Sequence, residues 1–116
     1  MKLPRVAFPL LCICVSASAA QFSLPKDVAK FVERRESCDH WRGEYGYDEE
    51  RQRDIDWSMC QTCTGTDTEL VFLKRKYGSN GQVLEKLNEF EPSIEPKDKA
   101  EARRFCRTTK KPEWYK

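Results

Sequence analysis

Residues 33–44 read ERRESCDHWRGE and mark the place where the first amphipathic segment of the chain ends. The stretch holds the only histidine, His40, together with a cysteine and a tryptophan. Upstream of it, side chains recur at steps of three and four residues, which is the spacing of one helical face. That face comprises Leu24, Val28, Phe31, Val32, Arg35 and Cys38. We therefore predict a first helix at about 24–40, capped by Ser23 and ended by the turn at residues 43–46.

Three or four further short helices are predicted downstream. Asp48 suits the N-cap of the second helix, and Trp57 lies off its inner face, so we expect Trp57 to be half-covered or exposed. Residues 66–69 form a capping box before an apolar run, which predicts a third helix. A short stripe at 83–90 and a last segment at 97–106 complete the set. No useful length alternates with a period of two, so the predicted class is all-α, a small bundle of four to five short helices.

The N-terminus has the pattern of an export signal. Lys2 and Arg5 precede an apolar run at residues 6–15 that is too short to remain as a membrane span. Residues 17–19 fit a small-x-small cleavage site. We predict a signal peptide at 1–20; the alternative is an anchor that is never removed.

Loss of the signal peptide changes the charge balance. Lys and Arg fall from 21 to 19 against 19 acidic residues, so the formal charge goes from +2 to zero. A neutral chain lacks the persistent positive field of a nucleic-acid-binding protein, so we expect no nucleic-acid partner. The remaining chain divides into a helical domain at 21–106 and a basic tail at 107–116, whose order is not predicted.

Four cysteines remain after cleavage: Cys38, Cys60, Cys63 and Cys106. An even number in an exported chain predicts two disulfides, and three pairings are possible. We prefer Cys38–Cys63 with Cys60–Cys106, because it ties the first helix to the second and the last helix to the body. A direct Cys60–Cys63 bridge, with Cys38–Cys106, stays open.

Two cysteine-based chemistries are alternatives to that structural role. Cys60 and Cys63 have the spacing of a redox dithiol, but they lie at a predicted helix C-terminus, where the dipole raises a thiol pKa. A zinc site would combine Cys38, Asp39 and His40 with the two later cysteines. An oxidising compartment and the tight Cys38-to-His40 spacing disfavour it, so we predict no metal and no cofactor.

Acid–base catalysis is the third candidate chemistry. His40 lies beside Asp39 and close to Glu44, which is a minimal proton-transfer pair. No nucleophile or oxyanion-hole motif is nearby, so His40 fits better as a helix C-terminal cap. We therefore predict no catalytic residue.

Recognition is the fourth interpretation of this region. Trp, Tyr and Arg are the residue types that dominate binding hot spots. The candidate binding residues are Arg35, His40, Trp41, Arg42, Glu44, Tyr45 and Tyr47. The competing interpretation is that Trp41 packs in the core while the arginines pair with nearby glutamates on a solvated face. Both stay open.

Two segments carry a resemblance. Residues 31–44, with CDHWRGE, and residues 63–77, which begin CTGTDTEL, together resemble a group of small, exported, uncharacterised proteobacterial proteins. The resemblance implies a periplasmic location, with Cys38 and Cys63 as the natural pair, and it implies no activity. A looser similarity, in architecture and location alone, is to the helical, disulfide-bonded periplasmic immunity proteins that neutralise cell-wall amidases.

The sequence thus favours a non-enzymatic periplasmic binding protein. Its expected partner is another protein or an envelope component, with no stable membrane anchor after signal cleavage, and an inhibitor or immunity role would be one specific form. The alternative is a small thiol-redox or metal-handling protein that uses Cys60 and Cys63.

Overall fold

The computed structural model describes residues 2–7, 9 and 22–115, and in these residues every regular element is an α-helix. The helices are α1 (Lys26–Arg42), α2 (Glu49–Cys63), α3 (Thr66–Lys76), α4 (Gly81–Leu87) and α5 (Lys99–Thr108). The all-α prediction is therefore confirmed. The predicted cleavage site, and most of the apolar run before it, lie outside the described residues. No helix in the described part of the chain is both long and apolar enough to cross a membrane.

Side-chain caps begin three of the helices. The carboxylate of Asp48 accepts the Arg51 amide at 2.8 Å and starts α2. Asn80 accepts the Val83 amide at 3.1 Å and starts α4, while Asp98 does the same for α5. Each cap satisfies an amide that the first helical turn leaves without a partner.

Two predicted caps are wrong. The N-cap of α1 is Pro25 and not Ser23, because Pro25 adopts the extended conformation one residue before the helix. The predicted capping box at residues 66–69 does not form, because Gly65 is the N-cap at φ 82°, a backbone conformation that suits glycine. Thr66 is consequently inside the helix, and its hydroxyl donates to the Cys63 carbonyl at 2.7 Å.

The main core is built by α1, α3, α4 and Phe90, which lies three residues after α4. Phe31 of α1 meets Phe90 edge to face, with ring centroids 5.5 Å apart. The remaining buried members are Val28, Val32, Leu70, Leu73, Val83 and Leu87. This core matches the stripe predicted for α1, so apolar periodicity determines how α1 faces α3 and α4.

Helices α2 and α5 are attached differently. Helix α5 contributes no buried residue, and α2 buries Ile55, Trp57 and Ser58. The prediction for Trp57 was wrong: it is 9% exposed, and Tyr115 of the tail contributes to its cover, with the ring centroids 4.6 Å apart. The tail therefore folds back onto α2.

Two disulfides join the helices in the described part of the chain. Cys38 of α1 bonds Cys63 at the end of α2, and Cys60 of α2 bonds Cys106 of α5. This is the pairing preferred from the sequence. Disulfides of this kind persist in oxidising surroundings, and they fasten α2 to its neighbour on each side.

Candidate binding surface

The loop between α1 and α2 is arranged around a single acidic side chain, Glu44. One carboxylate oxygen of Glu44 lies 3.3 Å from Arg51 Nη2, and the other lies 3.4 Å from His40 Nε2. The Arg51 guanidinium also lies 5.3 Å from the ring centroid of Trp41. Glu44 thus links the last turn of α1 to the first turn of α2.

Arg42 fixes the same loop from its other side. Its guanidinium lies 2.9 Å from Asp39 and 3.6 Å from Glu91, which follows α4. The Glu44 amide donates to the Trp41 carbonyl at 3.2 Å, which closes the end of α1. Backbone and side-chain contacts therefore hold the loop together.

Tyr45 and Tyr47 project from this held loop into solvent. Their exposed fractions are 87% and 82%. We refer to the loop surface as the set His40, Trp41, Arg42, Glu44, Tyr45 and Tyr47. Six of the seven predicted binding residues therefore belong to one continuous segment that faces outward or half outward.

Arg35, the seventh, is separated from the loop surface. Its side chain is fully buried, where Nη2 donates to the Glu91 carbonyl at 2.7 Å and Nε to Asp39 at 3.3 Å. Its remaining terminal nitrogen lies 3.9 Å from Asp67. In this structure Arg35 cannot offer its guanidinium to a partner, and it joins α1 to the segment after α4.

Asp67 completes that buried junction. Its carboxylate accepts the backbone amides of Ile94 and Glu95 at 3.0–3.1 Å, and the Glu95 carboxylate accepts the Asp67 amide at 2.9 Å. The segment that follows α4 is thereby fixed against the first turn of α3. Arg42 extends the junction to the loop surface through Glu91.

An open cleft of about 970 Å³ lies next to this junction. It is bounded by α2, the start of α3, the segment at 94–98 and α5, and Arg42 lies at its edge. Apolar members of its lining are Met59, Ile94, Pro96, Ala102 and Phe105, with cysteines of both disulfides. The volume falls in the range of small-ligand pockets.

The residues proposed for metal or redox chemistry are placed differently by the structure. Cys60 is bonded to Cys106 and Cys63 to Cys38, so Cys60 and Cys63 do not form a disulfide with each other. Among the described residues, no group of three His, Cys, Asp or Glu side chains could hold a metal ion. His40 is an exposed residue of the last turn of α1, beside Glu44.

A second polar cluster, centred on Asp27, was missed by the sequence analysis. Its carboxylate accepts from Lys76 Nζ at 2.6 Å and from the Tyr77 hydroxyl at 2.7 Å. These bonds, that from Lys76 first, lower the pKa of Asp27, and Asp27 in turn raises the pKa of Lys76 and of Tyr77. The cluster fastens the start of α1 to the end of α3.

Arg51 was also missed as a support of the loop surface. The sequence does contain a signal for it, because a residue three positions after the Asp48 N-cap lies in the first turn, close to the preceding loop. Asp27, by contrast, meets a side chain 49 positions away, which no local pattern reveals.

The fold and this surface define a small, all-helical protein with two interhelical disulfides and an exposed aromatic loop. No protein family, curated protein or solved structure matches the chain.

Proposed function

We propose that the protein is an exported, periplasmic binding protein that recognises another protein through the loop surface. An inhibitor or immunity role is the specific form that such a small, covalently braced protein would suit. The proposal is supported by the N-terminal signal pattern, by the two disulfides and by the chemistry of the loop.

The observation that carries the proposal is the exposure of Tyr45 and Tyr47 on a loop whose other side chains are fixed by ion pairs. A tyrosine contributes a large, rigid contact area with little loss of conformational freedom. Because Glu44, Arg51 and Trp41 already fix the neighbouring backbone, a partner would meet a surface that is ordered before binding.

Photo-crosslinking identifies the partner directly. A photoreactive residue is placed at position 45 or 47 of the disulfide-bonded protein, and a third protein carries it at Phe72 as a control. Phe72 is 58% exposed on α3, so it matches the tyrosines in size and accessibility but lies on another helix. We expect positions 45 and 47 to capture one shared envelope protein that position 72 does not capture.

The captured protein is then purified and its affinity measured. Replacement of both tyrosines (Tyr45→Ala with Tyr47→Ala) is expected to weaken binding about thirtyfold or more, since the loss of even one hot-spot tyrosine costs about 2 kcal/mol or more. Phe72→Ala is expected to leave the affinity within about twofold. Identical capture from all three positions, or equal affinity of the tyrosine variant and the wild type, would refute the proposal.

A further inference from the structure

The C-terminal part of the protein carries a dense group of basic side chains. Residues 103–111 contain five of them, whereas Glu113 is the only carboxylate between 102 and 115. We call this group the basic end: Arg103, Arg104, Arg107, Lys110 and Lys111, all exposed. It covers the second half of α5 and the start of the tail.

The charges of the basic end are not neutralised within the described part of the protein. None of its five side chains lies within 4 Å of a carboxylate of a described residue, and the ion pairs found there belong to other cations. Lys99, at the start of the same helix, is paired with Glu95 at 3.6 Å. The positive field of α5 is therefore concentrated at its C-terminal half.

Aromatic side chains accompany these cations. Phe105 is 50% exposed, and Trp114 and Tyr115 are 54% and 48% exposed. Phe105 and Lys110 line the same small cavity, with Asp56 of α2 on its wall but not within ion-pair distance of Lys110. The Lys111 ammonium lies 5.0 Å from the centroid of the Tyr115 ring. Cations and half-exposed aromatic rings thus share one end of the molecule.

We propose that the basic end is a docking site for the surface of a lipid bilayer that carries anionic headgroups. Lysine and arginine are attracted to the negative surface potential, and Trp, Tyr and Phe side chains enter the boundary between headgroups and acyl chains. The binding is peripheral and reversible, and it uses a surface distinct from the loop surface.

The aromatic rings favour a bilayer over a nucleic-acid duplex as the occupant. A purely electrostatic site for phosphates needs only the cations, whereas half-exposed Phe105 and Trp114 gain free energy when they leave water for an apolar boundary. Without residues 1–20 the chain has no formal net charge, so the attraction is local to this end. A flat anionic surface can contact such a local patch.

The test measures binding of the exported, disulfide-bonded protein to vesicles by co-sedimentation. Vesicles of phosphatidylcholine with about a third phosphatidylglycerol are compared with vesicles of phosphatidylcholine alone. Each basic residue near an anionic surface strengthens binding by about fivefold, so the triple change Arg104→Gln, Lys110→Gln, Lys111→Gln is expected to weaken binding to anionic vesicles by about 100-fold. Added salt is expected to weaken the wild type in the same direction.

A matched variant separates the patch from overall charge. The triple change Lys26→Gln, Lys30→Gln, Arg75→Gln also removes three exposed cations that make no ion pair among the described residues, and it lies on α1 and α3. It is expected to change binding by less than about threefold. Both variants keep the same N-terminus, so any contribution from that segment cancels, and far-UV circular dichroism with a free-thiol count verifies that both are folded.

The aromatic part of the proposal has its own readout. Tryptophan emission is expected to shift to shorter wavelength on anionic vesicles, and the shift is expected to disappear in Trp114→Phe while Trp41→Phe retains it. Equal binding to neutral and anionic vesicles, equal weakening by the two triple variants, or equally tight binding to a DNA duplex would each overturn the proposal.

Discussion

Two parts of the molecule are held in place by different means. Helices α1, α3 and α4 share a buried apolar cluster around Phe31, whereas α5 buries no side chain and is joined to α2 by the Cys60–Cys106 bond. Apolar packing thus holds α1, α3 and α4 together, whereas a covalent bond retains α5. A small chain with a limited core can retain a further helix in this way, since the bond replaces apolar area that the helix lacks.

The largest effect is expected from the core itself. Phe31→Ala removes a fully buried ring that contacts Phe90, and it should lower the free energy of unfolding by about 3–5 kcal/mol in urea titrations. Phe72→Ala removes the same ring from an exposed position and should cost less than about 1 kcal/mol. Similar losses for both variants would contradict the placement of Phe31 in the core and of Phe72 on the surface.

The second largest effect is expected from the disulfide that holds α5. Cys60→Ser with Cys106→Ser opens a link between positions 46 residues apart and should cost about 2–4 kcal/mol. Hydrogen exchange should show that amides of α5 lose their protection while those of α1 and α3 keep theirs. Retained protection in α5 would mean that non-covalent contacts suffice to hold it.

The junction between Asp67 of α3 and the segment after α4 should have an intermediate effect. Asp67→Ala leaves the amides of Ile94 and Glu95 without their acceptor and should destabilise the protein by about 1–3 kcal/mol, with faster hydrogen exchange at those two amides. Asp54→Ala, which removes a carboxylate with no ion pair in the described residues, serves as the control. Unchanged exchange at residues 94 and 95 would show that Asp67 does not hold this segment.

The smallest effect concerns the stability of the fold in acid, through the contact that Asp27 makes between α1 and the end of α3. The pKa of Asp27 is lowered below 3.8 by its bonds from Lys76 and Tyr77, so the ionised carboxylate stabilises the fold above that pH. This stabilisation should decline as the pH falls from about 3.8 through the lower folded-state pKa, because protonation removes the negative charge of Asp27 that pairs with Lys76. Thermal unfolding of wild type and Asp27→Asn should therefore converge in acid, and a constant difference down to the lowest pH would refute this assignment.

Much of the fold could be predicted because its signals are local. The three- and four-residue spacing around Val28 and Phe31 predicts both a helix and its buried face, and Asp48 marks the start of α2. The same spacing placed Arg35 on the buried face, although its residue type suggested a binding role. Its partners, the Glu91 carbonyl and Asp67, come from distant positions, so burial of a paired guanidinium was not predictable.

Long-range contacts explain the other differences. Trp57 lies off the predicted inner stripe of α2 but is buried, and one of its contacts, Tyr115, comes from the tail 58 positions away, which no local pattern reveals. The sequence indicated Trp41, Glu44 and the tyrosines of the loop surface as candidates, but it did not indicate Arg51, which contacts Glu44 and Trp41. Residue types that are common in hot spots can be recognised in a sequence. The contacts of Arg51 with Glu44 and Trp41, in contrast, depend on how the first turn of α2 is placed against the end of α1.

The disulfide connectivity has a consequence for biosynthesis. The two bonds interleave along the chain, because Cys60 lies between Cys38 and its partner Cys63, while its own partner, Cys106, lies beyond both. A chain that is oxidised as it emerges N-terminus first exposes Cys38 and Cys60 together before either native partner follows. Premature joining of Cys38 and Cys60 leaves Cys63 and Cys106 as the remaining pair, which is a non-native connectivity. A chain that has formed this first bond reaches the native pairing only by thiol–disulfide exchange through a mixed disulfide.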